Sequence, residues 1–302
     1  MENITVVIST YNGEKYIEKQ LNSILAQTDV CLKIYIRDDG STDMTPKILN
    51  RISEKYSNIT VSLEDNIGWG RSFLKALKKA PIGDYYAFSD QDDIWFDSKL
   101  ISGIKQLQGY DSSKPLLYHC NNLSVNEELH PYKHQTKHIP KPLNHENGLV
   151  QEYVQGCSMI INDTARKLVC QNVPTERIAH DFWIGLLCYF FGSVVYDINP
   201  HFYHILHVNN ASAEGCLVKG WYKRLKKFKG NDVYLVPAKT IFTSYFDNLS
   251  PDDKKFLKIL LDYQTNLKHK IFLLVDPKFR KKNIIGTISL KIAILSNKVK
   301  II

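Results

Sequence analysis

Residues 4–13 read Ile4-Thr5-Val6-Val7-Ile8-Ser9-Thr10-Tyr11-Asn12-Gly13, a β-branched run that stops abruptly at small polar residues. Continuous apolar character, without alternation, marks a strand buried on both faces, as in a parallel sheet covered by helices. The pattern repeats outward from there. A helical stripe of Ile17, Leu21, Ile24 and Leu25 follows, and residues 32–36 make a second strand running into Arg37-Asp38-Asp39-Gly40-Ser41-Thr42-Asp43. A helix carrying Ile48, Leu49 and Ile52 leads to a third strand at 59–63, and Asp65-Asn66-Ile67-Gly68 opens a helix with Phe73, Leu74 and Leu77. Tyr85-Tyr86-Ala87-Phe88 is the fourth strand. These alternations predict an α/β fold with a doubly wound, mostly parallel sheet and right-handed crossovers.

Ligands of such sheets bind beyond the carboxyl ends of the strands. The polar clusters at 9–13, 38–43 and 89–93 all fall there, which points to a nucleotide site. The last, Ser89-Asp90-Gln91-Asp92-Asp93, holds three carboxylates in four positions. Such crowding at a strand end is costly unless a cation or a set of donors compensates. A hard divalent ion, Mg²⁺ or Mn²⁺, suits carboxylate ligands and leaves room for substrate phosphates. The other reading is an acidic turn before the next helix, with Asp97 or Ser98 as its N-cap. No G-x-G-x-x-G follows the first strand, against a dinucleotide-type site.

The 302 residues are 44% hydrophobic and 23% charged, ordinary for a globular chain. There is no apolar run of about 18 residues, so no membrane span is expected. Met1-Glu2-Asn3-Ile4 has no basic n-region, so no signal peptide is expected. The six cysteines show neither C-x-x-C pairs nor zinc spacing and suit a reducing, cytoplasmic setting. The formal charge is +8, with basic segments at 219–229 and 278–282.

Further on, residues 126–147 read as a long loop, 154–161 as a strand interrupted by Gly156, 182–191 as a helix, and 193–196 and 201–205 as strands. From about residue 217 the pattern turns helical, with Phe256, Ile259, Leu260 and Tyr263 on one stripe and Leu267, Ile271 and Leu274 on another. The expected division is a domain at 1–215 and a helical basic extension at 216–302.

Taken together, Val7-Ile8-Ser9-Thr10-Tyr11-Asn12-Gly13, Asp38-Asp39-Gly40-Ser41-Thr42-Asp43, Asn66-Ile67-Gly68, Ser89-Asp90-Gln91-Asp92-Asp93-Ile94-Trp95, Gln155-Gly156-Cys157-Ser158-Met159 and His180-Asp181-Phe182-Trp183 resemble the family-2 glycosyltransferases of the GT-A fold. The Asp-Gln-Asp-Asp-x-Trp form resembles the branch with bacterial rhamnosyl- and galactosyltransferases of O-antigen and capsule assembly. Ser72 stands where that branch often has Asn, and Tyr203–Asn210 is an irregular version of its late His-containing stretch. The resemblance implies an inverting, metal-dependent transferase. It would move a hexose or deoxyhexose, rhamnose or galactose favoured, from a dTDP- or UDP-sugar to a hydroxyl of a lipid-linked or oligosaccharide acceptor. A polyprenyl-diphosphate-linked glycan acceptor would bring peripheral contact with the inner face of the cell membrane, and no nucleic acid is expected as a partner.

The resemblance also assigns roles. Thr10 and Tyr11 meet the base and ribose, although Tyr11 also suits helix-cap packing. Asp38 or Asp39 accepts from the base N–H, with Asp39 preferred, although both suit turn chemistry. Asp90 contacts ribose or bridges. Asp92 is the metal ligand, His207 reaches a phosphate or the metal or else is structural, and Asp93 orients the acceptor or supports the metal ligands from behind. Asp181 is the general base, or else the N-cap of the following helix. Trp95 and Trp183 form an acceptor wall, or else pack in the core. Trp221, Tyr222, Leu225 and Phe228, interleaved with basic residues, suit a helix at a headgroup layer or a solvated face.

Two other classes compete. A nucleotidyltransferase acting on sugar phosphates should carry a basic phosphate loop after the first strand, but nothing basic precedes Lys15 there. A basic nucleic-acid-binding protein would leave the acidic clusters without a purpose.

Overall fold

The computed structural model describes residues 1–135, 138–174, 178–206 and 235–299. The chain divides into two compact units, one of Met1–Lys141 with Tyr153–Ile205, the other of Pro142–Glu152 with Leu206–Ile302. The expected boundary after residue 215 lies outside the described residues. The sequence pattern offered no sign that Pro142–Glu152 joins the C-terminal helices.

The first unit is built on an eight-stranded sheet in the order β3-β2-β1-β4-β7-β6-β8-β5. Its first half follows the predicted alternation: β1 (Glu2–Thr10), α1 (Ile17–Leu25), β2 (Val30–Asp39), α2 (Thr45–Lys55), β3 (Ile59–Glu64), α3 (Trp69–Lys79) and β4 (Tyr85–Ser89). β1 pairs in parallel with β2 and with β4, and β2 with β3. The four strands therefore end on one side. Ile4, Val6, Ile8, Ile34, Ile36 and Ala87 are buried in the main core. A near-continuous apolar run suits strands covered on both faces, and the polar residue within it, buried Thr5, donates its hydroxyl to the Pro81 carbonyl.

The second half mixes directions. β5 (Asp93–Trp95), α4 (Lys99–Leu107), β6 (Leu116–Val125), β7 (Met159–Asn162), α6 (Asp163–Gln171), α7 (His180–Phe191) and β8 (Ser193–Ile205) complete the unit. β7 runs antiparallel to both β4 and β6, β6 and β8 are parallel, and β5 is antiparallel to β8.

Three local expectations are corrected. Residues 154–161 are not one strand, because a 3₁₀ turn occupies Gly156–Ser158 and the strand starts at Met159. The separate strands at 193–196 and 201–205 are one thirteen-residue strand, whose pairing with β6 is irregular around Asn121, opposite Pro200. Proline cannot donate to a ladder, so it sits where the ladder breaks. The acidic cluster does not simply end β4, since Asp93 opens β5 opposite His204.

In the second unit α5 (His145–Gly148) accompanies α8 (Val236–Ser244), α9 (Pro251–Asp262), α10 (Leu267–Val275) and α11 (Ile284–Leu295). Asn147 Nδ2 donates to the Arg280 carbonyl (2.6 Å) and His145 Nδ1 meets Asp253 Oδ1 (2.8 Å), which ties the short segment to the later helices. Ser250 caps α9 by accepting from Asp253 N–H, and Asn283 caps α11 by accepting from Gly286 N–H. Among the described residues, no helix is long and apolar enough to cross a membrane.

Candidate active site

The loops after β1 and β2 are sewn together by side chains of the quoted motifs. Thr10 Oγ1 donates to Asp38 Oδ1 (2.8 Å), and Ser41 donates to Asp38 through both its N–H and its hydroxyl. Asn12, at φ 49°, accepts from Thr42 N–H, while Gly13 N–H donates to Thr45 Oγ1 (2.8 Å). Asp39 accepts from Arg37 and from the backbone N–H groups of Ile67 and Gly68, both at 2.9 Å. Gly68 has φ 86°, the left-handed region that glycine tolerates best, so the Asn-Ile-Gly motif aims two donors at Asp39. Asp38 and Asp39 point to opposite sides and each already holds three hydrogen bonds. Asp38 also borders an open cleft of about 600 Å³ with Gly40, Ser41, Ile67 and Lys75. None of Asp90, Asp92 and Asp181 lines that cleft, so it does not contain the carboxylate cluster.

Thr10 keeps only its backbone for a ligand, since its buried hydroxyl is spent on Asp38. Tyr11 is half exposed, and its backbone is clamped from both sides by Gln91: Tyr11 N–H donates to Oε1 (2.9 Å) and Nε2 donates to the Tyr11 carbonyl (3.1 Å). Gln91 therefore locks the first strand-end loop to the acidic one. A Cβ at Gly13 would lie 2.3 Å from Gln91 Oε1, so a larger residue there would push the Gln91 amide off its two bonds to Tyr11.

Asp90 and Asp92 are half-buried in the short loop between β4 and β5. Burial, and then the charges of Asp93 and Asp92, push the Asp90 carboxyl up to about 8, with Asp181 adding to the rise. Asp93 is fully buried. One oxygen meets His204 Nδ1 (2.9 Å) and the other, Oδ2, has no hydrogen-bond partner. Burial opposes charge on His204, but the hydrogen bond and charge of Asp93, with Asp90 and Asp92, raise it to about 9. Donor atoms of Asp93, Cys157 and His204 lie within 4.8 Å of one another. The cluster holds more negative charge than its one imidazole balances, and the buried Asp93 Oδ2 without a hydrogen-bond partner fits a cation-binding role. Burial raises the Cys157 thiol well above its ordinary value and keeps it protonated, so the donors left are the carboxylates with one imidazole, a set that suits Mg²⁺ or Mn²⁺.

His204 was not singled out by the sequence, which pointed instead to His207. His207, with Asn209 and Asn210, lies outside the described residues. Only the register of β5 against β8 places His204 opposite Asp93, and no local sequence signal reveals a long-range pairing.

Asp181 is in the first turn of α7 but does not cap it. Ala179 holds the N-cap position, and no side chain caps the helix. The Asp181 carboxylate instead accepts from Phe182 N–H (2.9 Å). Burial raises it to about 6, against backbone donors at Phe182, Asp181 itself and Gly156. Its neighbour His180 is buried with both ring nitrogens unpartnered, stacked on Phe73 at 4.0 Å and edge-on to Trp69 at 5.7 Å. Burial lowers it to about 3, so it is neutral.

This packing explains the Gln-Gly-Cys-Ser motif. A Cβ at Gly156 would lie 2.6 Å from His180 Nε2, on a ring already stacked against Phe73. Gly156→Ala is expected to cost about 1–3 kcal/mol of stability and to displace Asp181, lowering both the thermal midpoint and the turnover. Unchanged melting and rate would show that the ring can move aside.

The aromatic wall expected from Trp95 and Trp183 is not present. Trp95 is 2% exposed and Trp183 fully buried, so neither ring offers a face to a sugar. The Lys99 ammonium, itself buried, sits 3.7 Å from the Trp95 ring centroid, which accounts for that tryptophan as a lid on a buried cation.

Four strand ends and the first turn of α7 thus gather backbone donors, a carboxylate cluster and a separate carboxylate of raised pKa. The sequence matches the profile of glycosyl transferase family 2 over residues 5–168, more than half of the chain. The chain belongs to this family. Within it, the chain is 42% identical over 102 residues to the dTDP-rhamnosyl transferase RfbG of Shigella flexneri, covering 32% of this chain and 35% of that one. It is 29% identical over 211 residues to the Bacillus subtilis glycosyltransferase TuaG, assigned to teichuronic acid biosynthesis, covering 69% and 80%. The chain spans from about a third to under two thirds of the length of several curated relatives it matches. Among solved structures, S. aureus TarS in complex with UDP-GlcNAc superposes with a TM-score of 0.58 at 20% identity, over 92% of this chain and 78% of that one. That likeness identifies the GT-A fold of this glycosyltransferase.

Proposed function

We propose that this family-2 glycosyltransferase moves a hexose or deoxyhexose from a dTDP- or UDP-sugar to an acceptor hydroxyl, with inversion at the anomeric carbon. The observation that carries the reading is the pairing of a negatively charged cluster, Asp90, Asp92 and Asp93 with His204, with a separate half-buried carboxylate, Asp181, that influences it electrostatically. The nucleoside would lie at the ends of β1 and β2, against Thr10, Tyr11, Asp38 and Asp39. Asp92, with Asp90 and a late histidine, would hold Mg²⁺ or Mn²⁺. When bound, the ion neutralises the charge that develops on the departing nucleoside diphosphate.

The work of the chain's own residues follows from their placement. Asp181 accepts the proton of the acceptor hydroxyl as that oxygen attacks the anomeric carbon and the bond to the donor phosphate breaks. A carboxylate raised by burial is a better base than one in water, and at neutral pH it is still ionised. One base without a covalent nucleophile gives a single displacement. Asp93, buried and held by His204, acts from behind Asp90 and Asp92 rather than on the acceptor itself. Dense hydrogen bonding around Asp38, Asp39 and Gln91 holds the strand-end loops in place before substrate arrives, which limits reorganisation.

Similarity to the dTDP-rhamnosyl transferase RfbG and to TuaG of teichuronic acid biosynthesis supports a dTDP-sugar donor and polysaccharide biosynthesis; rhamnose or galactose as the sugar and a lipid-linked glycan as the acceptor are part of the proposal. A product assay with dTDP-rhamnose, UDP-galactose, UDP-glucose and UDP-N-acetylhexosamines, each with Mg²⁺ or Mn²⁺, tests the reading. One donor should be consumed only when acceptor and metal are present. Turnover of none, alongside pyrophosphate release from a nucleoside triphosphate and a sugar phosphate, would favour a nucleotidyltransferase.

A further inference from the structure

The C-terminal helices carry a feature the transfer reaction does not use. The apolar stripe expected on α10 does not face a core: Leu267 is 70% and Val275 72% exposed, with Ile271 and Phe272 also uncovered. On α11, Ile284 and Ile285 are 80% and 75% exposed, and Ile288, Ile292 and Leu295 are each more than half exposed. At 100° per residue these five side chains fall within one arc of about 100°. Leu290, Ala293 and Ile294 are buried on the other side. α11 is held to the end of α10 by Lys291, whose Nζ donates to the carbonyls of Leu273 (2.5 Å) and Asp276 (3.0 Å). Two packed helices thus leave nine large apolar side chains in water, which a soluble surface rarely tolerates without a purpose.

The charge around them is one-sided. Residues 267–302 hold nine Lys and Arg against one acidic residue, Asp276, a balance of +8 that equals the formal net charge of the whole chain. Lys278, Arg280, Lys281 and Lys282 lie in the connection between the two stripes, next to exposed Val275, Ile284 and Ile285. An uncovered aliphatic face bordered by basic residues complements a layer that is apolar below and negatively charged at its surface. A second copy of this face would bring the basic connections toward each other, which like-charge repulsion disfavours. The twelve residues of α11 are too few to span hydrocarbon, so the helix would lie in the plane of the interface.

We propose that the exposed faces of α10 and α11 dock this protein onto an anionic lipid bilayer, with the aliphatic stripes in the headgroup–acyl boundary and the basic connection on the lipid phosphates. These residues differ from the basic segment at 219–229, which lies outside the described residues. Docking here would bring the enzyme to an acceptor carried on lipid, but the binding is measured without any transfer reaction, so it stands or fails separately from the proposed activity.

The test is co-sedimentation of the whole chain with vesicles of phosphatidylglycerol mixed with phosphatidylcholine, compared with phosphatidylcholine alone, at low and high salt. The protein should pellet with the anionic vesicles and release as salt screens the charge. Ile285→Asn with Ile288→Asn should weaken binding about tenfold or more, and Lys281→Glu with Lys282→Glu should do so mainly at low salt. Both pairs are on exposed or half-exposed positions, and an unchanged melting temperature would confirm the fold. Failure of the unaltered protein to bind, or equal binding by the Asn variant, overturns the proposal. So does a dimer by light scattering that the Asn variant dissolves while vesicle binding is absent, because the face would then belong to a second copy.

Discussion

Asp181→Asn is expected to lower transfer by about 10²–10⁴-fold, the usual contribution of a positioned general base, while leaving the fold intact. The amide oxygen can still accept from Phe182 N–H, and no helix cap is lost because Ala179 occupies that position. Burial raises the Asp181 carboxyl to about 6, so the folded state holds this proton more tightly than the unfolded chain does. The associated stability is present below the unfolded value near 3.8 and declines as pH rises to about 6. Above that, ionised Asp181 costs on the order of 3 kcal/mol. Removing the charge should therefore leave the melting temperature at neutral pH unchanged or raise it. In the unaltered enzyme kcat/KM should fall as pH drops through about 6, where the base becomes protonated, and that limb should vanish in the variant. A stable variant with near-full turnover at saturating donor and acceptor would rule out Asp181 as the base.

The second large effect is expected at Asp92. Asp92→Ala should reduce transfer by about 10³-fold or more, as expected when an ion supplying several kcal/mol of charge stabilisation is lost. Metal-dependent nucleotide binding, measured by calorimetry with and without chelator, should disappear with it. The fold should survive, because deleting one of several crowded carboxylates relieves the repulsion that helps push Asp90 up to about 8. Full activity of the unaltered enzyme in excess chelator would remove the metal from the reaction altogether.

The contrast between Trp95 and His204 shows where reading the residues stops. In both cases residue type suggested or concealed a role that only burial and pairing decide. Trp95, next to the acidic cluster in sequence, turns inward in β5 and covers Lys99, because alternate residues of a strand face opposite sides. His204 lies more than a hundred residues from Asp93, yet antiparallel register sets them face to face.

The strand–helix alternation of residues 2–89, the strand-end clusters and the acidic loop were legible because they depend on local period and composition. A run buried on both faces is close to continuously apolar, and a turn must contain residues that tolerate it. The 3₁₀ turn at Gly156, the neutral His180 beneath Asp181, the Gln91 clamp and the transfer of Pro142–Glu152 to the C-terminal helices were decided by tertiary structure alone. Each depends on which distant group occupies the neighbouring space, and the helical period of α10 likewise showed that a stripe exists without showing that water is what it faces.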